Sequence, residues 1–501
     1  MDELAVVDGR ERVGYLSLRL KRVYIKTYGC QMNERDSEAV AAMLRDRGYA
    51  ISNSEDEADV ILLNTCSVRD MAEQKALGKM GMLSHRKRNK PELVLGFMGC
   101  MAQSRGSELL QNPAVDLVVG TQRFHHVAEY LDRLLATKEE SGGTGVSACA
   151  VSAPAHTGTE ACATNSGDDL DTPFRFADVA AERGSESTIK DHMVGTNGDR
   201  LVTAYVSIMQ GCEMYCTFCI VPYTRGSERS RPIPEIVEEV RQLVRQGVKE
   251  VTLLGQIVTS YGRATIQKKN GKSAFVQLLE AVHEVEGLER IRFTSPHPKG
   301  FGDDLVEAFR DLPKLCEHAH LPVQSGSNRV LKAMNRGYSR EWFLKIVDKL
   351  RARKPGIALS TDIIVGFPGE TEEDFSETAA LMRDVEFDQA YIFKYSKRRD
   401  TPAAGMPDQV SREVKDQRNK TLLTMLNDNL KRKHQLMTDQ TVEILVEGRS
   451  EKAGRRMFGR TRTNKPVVFD GSERHKGQLL PVRIVRGTIT TLYADPMIYG
   501  A

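Results

Sequence analysis

The stretch Ser207-Ile-Met-Gln-Gly-Cys-Glu-Met-Tyr-Cys-Thr-Phe-Cys-Ile-Val-Pro222 puts three cysteines, Cys212, Cys216 and Cys219, on one short loop directly after a strand-like run. Three thiolates held this closely converge on one corner of a metal centre, and soft thiolates select iron–sulfur clusters or zinc over hard cations. A structural zinc site needs a fourth Cys or His close by. None follows, since the first His after the loop is His283. The spacing also differs from the ferredoxin run of four cysteines. The pattern therefore favours an iron–sulfur cube over zinc, with one iron left free for a substrate or cofactor.

Around this loop, apolar strands alternate with charged amphipathic helices. Strands are expected near 201–208, 249–254, 290–294, 318–323, 357–365 and 390–395, with helices between them. Six βα units predict an open barrel whose site lies at the C-terminal strand ends. Gly255, Gln256, Ser295, Gln324 and Asp362 stand at those ends and would share a mouth with the cysteine loop.

The same alternation runs upstream, from about Arg22 to Leu135, with strands at 23–27, 60–63, 93–97 and 117–119 and helices near 34–47, 68–88, 101–110 and 124–136. This predicts a parallel sheet covered by helices. Cys30, Cys66 and Cys100 each fall within three residues of the end of one of the first three strands. All strand C-termini of a parallel sheet lie on one edge, so these cysteines are expected to meet as a second three-thiolate site. The alternative is that they are small buried hydrophobes.

From about 137 to 197 the composition turns to Gly, Ser, Thr, Ala and Asp, which predicts a flexible linker. Cys149 and Cys162 lie inside it with no usable spacing, and Cys316 stands alone; none is given a role. After a long polar helix near 412–437, short β-like runs at 441–446, 465–469 and 480–485 predict a small all-β barrel. Residues 441–501 hold eleven Lys or Arg against six Asp or Glu, an excess of five. With Phe458, Phe469 and Tyr493 available to stack on bases, the barrel is a candidate RNA-binding module. Arg225, Arg229 and Arg231, just after the cysteine loop, are further candidates for phosphate contact.

At 501 residues the chain has room for about three domains. The expected class is α/β: an N-terminal βα parallel-sheet domain (21–136), a linker (137–197), a central open (β/α)6 barrel (198–436) and an all-β barrel (437–501). The net charge of +3 permits nucleic-acid binding without requiring it. The N-terminus has no apolar h-region and no stretch reaches eighteen apolar residues, so a cytoplasmic protein with no membrane partner is expected. Nine cysteines in so long a chain do not form a secreted disulfide framework.

The cysteine loop resembles that of the radical S-adenosylmethionine (SAM) superfamily. Together with Tyr28-Gly-Cys-Gln-Met-Asn33, Asn64-Thr-Cys-Ser-Val-Arg69, Gly99-Cys-Met-Ala-Gln103 and Leu321-Pro-Val-Gln-Ser-Gly-Ser-Asn328, it resembles the methylthiotransferases over nearly the whole chain outside the linker. Gly29-Cys-Gln-Met-Asn-Glu-Arg-Asp36 and Cys219-Ile-Val-Pro-Tyr-Thr-Arg-Gly226 are most similar to the branch acting on N6-isopentenyladenosine beside the tRNA anticodon, and the tail is similar to the TRAM domain.

The resemblance implies two 4Fe-4S clusters, one on Cys212, Cys216 and Cys219 that cleaves SAM and an auxiliary one on Cys30, Cys66 and Cys100 that carries or donates sulfur. It implies C2 hydrogen abstraction, sulfur insertion and methyl transfer from a second SAM, with tRNA, an electron donor and a sulfur source as partners. Phe218, Gly255, Gln256, Ser295, Gln324 and Asp362 become candidate SAM contacts, with Asp362 accepting from a ribose hydroxyl. Ile257 and Thr259 depart from the family pattern, which has Asn there. Sister substrates are threonylcarbamoyl-adenosine in tRNA and an aspartate of a ribosomal protein. An RNA-binding iron–sulfur protein without catalysis is the reading from another class.

Overall fold

The computed structural model describes residues 20–67, 70–141, 175–182, 185–188, 201–450, 454 and 456–496. Cys149 and Cys162 lie outside the described residues.

The N-terminal sheet is parallel throughout, in the spatial order Ala50–Ile51, Arg22–Tyr28, Val60–Thr65, Val94–Met98, Leu117–Val119, Phe176–Asp178. Both its faces are covered, so its central strands are apolar without alternation. On Val60–Thr65, Val60 and Leu62 enter one core while Ile61 and Leu63 enter the core on the opposite face. Helices Gln31–Asp46 and Val127–Ser141 cover the first face, and Asp70–Asn89 and Cys100–Arg105 the second.

The expected linker over 137–197 holds regular structure at its start and within it. The last of these helices continues to Ser141, and Phe176–Asp178 joins the sheet as a sixth strand beside Leu117–Val119. Three residues are too few to show a period, so the strand was hidden in its polar surroundings. Its Asp178 is held by the Arg123 guanidinium at 2.7 Å and by the Tyr130 hydroxyl.

Six parallel strands make the central open barrel in two halves. Thr203–Ser207, Glu250–Leu254 and Arg290–Phe293 form one, and His318–His320, Ala358–Val365 and Gln389–Lys394 form the other. An isolated bridge between Ile291 and Leu315 joins them. The edge strands are Thr203–Ser207 and Gln389–Lys394, so the barrel opens between these two. The strand expected over 318–323 stops at His320; Pro322 has no N–H to give a ladder, and Val323 N–H donates to the Thr361 hydroxyl instead. Helix Asp303–Asp311, which the sequence reading did not include, covers the barrel with the expected ones. Local chemistry starts several of them: Ser273, Ser339, Thr371 and Ser411 accept backbone N–H groups as N-caps.

Helix Arg412–Gln435 runs along the edge strand, where Asn419 donates to the Ile392 carbonyl at 2.9 Å, and delivers the chain to the last unit. That unit is a closed barrel in the order Thr441–Arg449, Met457–Thr461, Pro466–Phe469, Leu492–Pro496, Leu479–Gly487. Met457–Thr461 and Leu492–Pro496 are the strands that close it beyond the expected three.

Candidate cluster and substrate site

Cys30, Cys66 and Cys100 follow three strands that are consecutive in the N-terminal sheet, and so lie together on its C-terminal edge. Two asparagines hold their loops: Asn33 donates to Asn64 Oδ1 at 3.0 Å, and Asn64 donates back to the Asn33 carbonyl at 2.8 Å. The packing leaves no room for side chains on the adjoining glycines. A Cβ on Gly29 would sit 2.5 Å from Asn33 Oδ1, and one on Gly99, at φ +95°, would sit 2.2 Å from Asn64 Oδ1. A hydrogen bond with Cys66 and the nearby Arg225 charge pull the Cys30 thiol down to about 6 against its burial. Burial pushes Cys100 up, opposed by the same Arg225.

The Cys212 loop starts at Gly211, φ +82°, where a Cβ would collide with the Ser227 carbonyl at 1.8 Å. Segment Ala333–Tyr338 pins the loop. Thr217 donates to the Ala333 carbonyl at 2.9 Å, and Asn335 donates to the Tyr215 carbonyl at 3.1 Å. Arg336, buried, donates to Cys216 Sγ at 3.2 Å and to the Pro322 carbonyl at 3.1 Å. Burial pushes Cys212 up to about 11 and Cys219 up to about 12. A bound cation would release those protons. Sequence reasoning missed Arg336; the only signal was the turn chemistry of Asn335 and Gly337, both at positive φ.

One cavity of about 1670 Å³ brings the two triads together, with Cys30 and Cys66 on one wall and Cys219 on another. Phe218, Ser295, Gln324 and Asp362 line it too. Ser295 and Gln324 hold left-handed backbones, φ +56° and +70°, and non-glycine strain of this kind gathers at functional sites. Gln324 is tied into the sheet by its N–H to the Asp362 carbonyl at 2.8 Å.

Gly255 and Gln256 do not line the cavity. A Cβ on Gly255 would meet Met209 at 2.7 Å, so this glycine serves packing under the cysteine loop. Ile257 is core, and Thr259 accepts the His297 N–H at 3.0 Å, so both departures from the family pattern have structural partners.

The arginines expected at phosphates point elsewhere. Arg225 is 3% exposed and paired with Asp36 at 2.6 Å; Arg231 is buried against Glu239 at 2.7 Å; Arg229 pairs with Glu186 at 3.1 Å. The partners of Arg225 and Arg229 come from segments remote in sequence, whereas Glu239 lies on the helix just after Arg231. The basic tail is likewise partly spent inward: Arg462 holds Glu317 at 2.7 Å and Lys465 holds Asp388 at 2.9 Å, which docks the small barrel onto the large one. Phe469 is core at 1% exposure, whereas Phe458 and Tyr493 lie under the guanidinium groups of Arg460 and Arg486.

Each triad offers three free cysteine thiols, soft donors of the kind that hold an iron–sulfur cluster.

Comparison with known proteins bears on the same parts. Family models match for the Radical SAM superfamily over residues 206–382, for the uncharacterized protein family UPF0004 over 22–120 and for the TRAM domain over 435–497. A tRNA-2-methylthio-N(6)-dimethylallyladenosine synthase of Opitutus terrae is 52% identical, covering 96% of this chain and 98% of that protein. One of Akkermansia muciniphila is 51% identical, covering 95% and 99%. Among solved structures, the radical S-adenosylmethionine methyltransferase TsrM of Kitasatospora setae shares the fold, with a TM-score of 0.52 at 12% identity over 77% of this chain and 75% of that one. With three family models on its three structural parts and full-length relatives above half identity, the chain belongs to the tRNA-2-methylthio-N(6)-dimethylallyladenosine synthase family of radical SAM methylthiotransferases.

Proposed function

We propose that this protein converts N6-isopentenyladenosine next to the tRNA anticodon to its 2-methylthio derivative. The observation that carries the reading is the cavity on which Cys30, Cys66 and Cys219 all open. A reaction that breaks a C–H bond and delivers sulfur to the same carbon needs both centres around one substrate. In this reading Cys212, Cys216 and Cys219 hold the SAM-cleaving 4Fe-4S cluster, and Cys30, Cys66 and Cys100 hold the auxiliary one. When bound, these clusters and SAM supply the hydrogen-abstracting radical, the sulfur and the methyl group.

The chain's own residues bind, orient and exclude. Arg336 places a fixed positive charge on Cys216 in a buried site, where it offsets thiolate charge without reorganisation. Phe218 packs with Tyr395 and Phe367 beside Cys219, an apolar surface suited to the adenine of SAM. Asp362, with His320 Nε2 at 3.5 Å, is placed to accept from a ribose hydroxyl. Cys66, Cys100, Cys212 and Cys216 are buried and Cys30 and Cys219 partly so, which limits the access of water to a reactive substrate. The functional units are 21–136 together with strand Phe176–Asp178, 198–436, and 437–501. No helix among the described residues is long and apolar enough to cross a membrane, and tRNA as substrate supports a cytoplasmic location. An electron donor and a sulfur source complete the reaction.

Nucleoside mass spectrometry tests this on isopentenylated tRNA incubated anaerobically with reconstituted protein, sulfide, SAM and a strong reductant. A methylthio mass gain on the isopentenyl adenosine is the expected result. SAM cleavage without that gain would move the substrate to threonylcarbamoyl-adenosine or a ribosomal aspartate, and no cleavage would leave a non-catalytic iron–sulfur protein.

A further inference from the structure

Edge strand Gln389–Lys394 carries two large aromatic side chains that the fold leaves uncovered, Tyr391 at 48% and Phe393 at 39% exposure, and both line the cavity. The alternate residues Ala390 and Ile392 pack outward into the main core, so Tyr391 and Phe393 share the face turned into the barrel. Register confirms the side: Tyr391 pairs with Asp362 and Phe393 with Ile364, and the Tyr391 ring meets His320 edge-on with centroids 6.2 Å apart. Residues two apart on a strand stand about 7 Å from each other, so the pair forms one continuous apolar strip.

The strip sits between two ends of different chemistry. At the C-terminal end of the strand, Tyr395 belongs to the apolar cluster with Phe218 beside Cys219. At the N-terminal end, Asp388 is tied to Lys465 of the small barrel at 2.9 Å. Across the opening, the other edge strand contributes Thr203 and Tyr205 to the cavity, and helix Gln31–Asp46 contributes Glu34. A group bridging the RNA-holding barrel and the cysteines must pass Tyr391 and Phe393. SAM held at the Cys219 loop does not need Tyr391, which lies about 13 Å down the strand from Tyr395. Arg398 and Lys415 line the same cavity and supply a positive field that an accompanying phosphate requires, while Lys394 is paired with Asp416 at 2.5 Å.

We propose that Tyr391 and Phe393 are the stacking platform for the unpaired purine of the RNA substrate, the surface on which the target adenosine lies between the basic barrel and the cysteine centres. This rests on the proposed function for the identity of the substrate and adds the residues that receive it. Aromatic stacking holds a base without reading its edges, which leaves C2 and N6 free. The apolar faces of the strip also suit the five-carbon isopentenyl group.

The test is anaerobic titration of the reconstituted protein with an isopentenylated anticodon stem-loop carrying 2-aminopurine beside the target, read by fluorescence quenching on stacking. Tyr391→Ala with Phe393→Ala should weaken stem-loop binding by about 5- to 100-fold and remove the quench, while Tyr391→Phe and Phe393→Tyr should retain both. Iron content and melting temperature of each variant confirm that the fold is intact. Unaltered stem-loop affinity in the double alanine variant would overturn the proposal. So would weakened SAM binding with RNA affinity retained, which would assign the strip to SAM. If the unsubstituted protein itself fails to bind the stem-loop, the proposed function falls along with this inference; if it binds and the variants match it, only this inference falls.

Discussion

Arg225, six residues after the last cysteine of the SAM-cluster loop, forms a buried ion pair with Asp36, six residues after Cys30, at 2.6 Å. One guanidinium thus connects the loop of one triad to the helix that follows the other. Its charge adds to the hydrogen bond with Cys66 in drawing the Cys30 thiol down, and it opposes the rise that burial gives Cys100. The neighbouring pair of Arg231 with Glu239, and Arg35 facing the same Glu239 at 3.7 Å, extend the contact between the two halves of the site.

Arg225→Gln leaves Asp36 buried without its cation, and removing one partner of a buried pair costs about 3–5 kcal/mol. We expect that loss in anaerobic urea unfolding. A paired Arg225→Leu, Asp36→Leu variant should recover most of it, because neither charge is then left uncompensated.

The triads should be separable. Replacing Cys30, Cys66 and Cys100 with Ala should leave about half of the reconstituted iron, and replacing Cys212, Cys216 and Cys219 should leave the other half. Iron and labile-sulfide assays read this directly. Full iron in either triple variant would remove that triad from the metal sites.

Arg336→Leu should impair the Cys212 site selectively, since it deletes the guanidinium that donates to Cys216 Sγ and leaves the Pro322 carbonyl with the Tyr338 hydroxyl as its donor. We expect SAM cleavage to fall by about 10- to 100-fold, the worth of one charged hydrogen bond in a buried site. The spectrum of the auxiliary cluster, measured in the Cys212, Cys216, Cys219 triple-Ala background, should not change with the added substitution.

His297 is held down to about 3 by burial first, then by the charges of Arg336 and Lys299. Its folded value is below the unfolded value of about 6.5, so its stabilising effect is complete above that pH and is lost as pH falls toward 3, by about 1.4 kcal/mol per unit. The pH dependence of unfolding should be flatter in His297→Gln across this window. Equal slopes would show that the ring titrates normally.

For RNA binding, Arg412→Gln with Lys415→Gln should flatten the slope of log affinity against log salt by about one to two, as expected for two cations at single-stranded phosphate. The same substitutions at Arg225 and Arg231 should leave the slope unaltered, because both guanidiniums are buried in protein ion pairs.

The sequence by itself determined that Cys212, Cys216 and Cys219 share one loop and the order of the three structural parts, because these are local signals: a spacing of three and two residues, and a change of hydrophobic period from βα alternation to short strands. It also showed that Cys30, Cys66 and Cys100 would meet, since strand ends of a parallel sheet converge whatever their separation along the chain. Tertiary structure alone decided which side chains serve those sites. Arg225 reads as a phosphate ligand until Asp36, 189 residues away, is seen beside it. Arg336 reads as a surface charge until its turn is found 120 residues on in sequence but 3.2 Å from Cys216. Gly255 looked like a cofactor contact and proved to be space for Met209, while the short strand Phe176–Asp178 had no period to reveal it. A charge or a glycine has no preferred partner in one dimension; its role follows from the low-dielectric contacts that folding creates, and those are fixed only when distant segments pack.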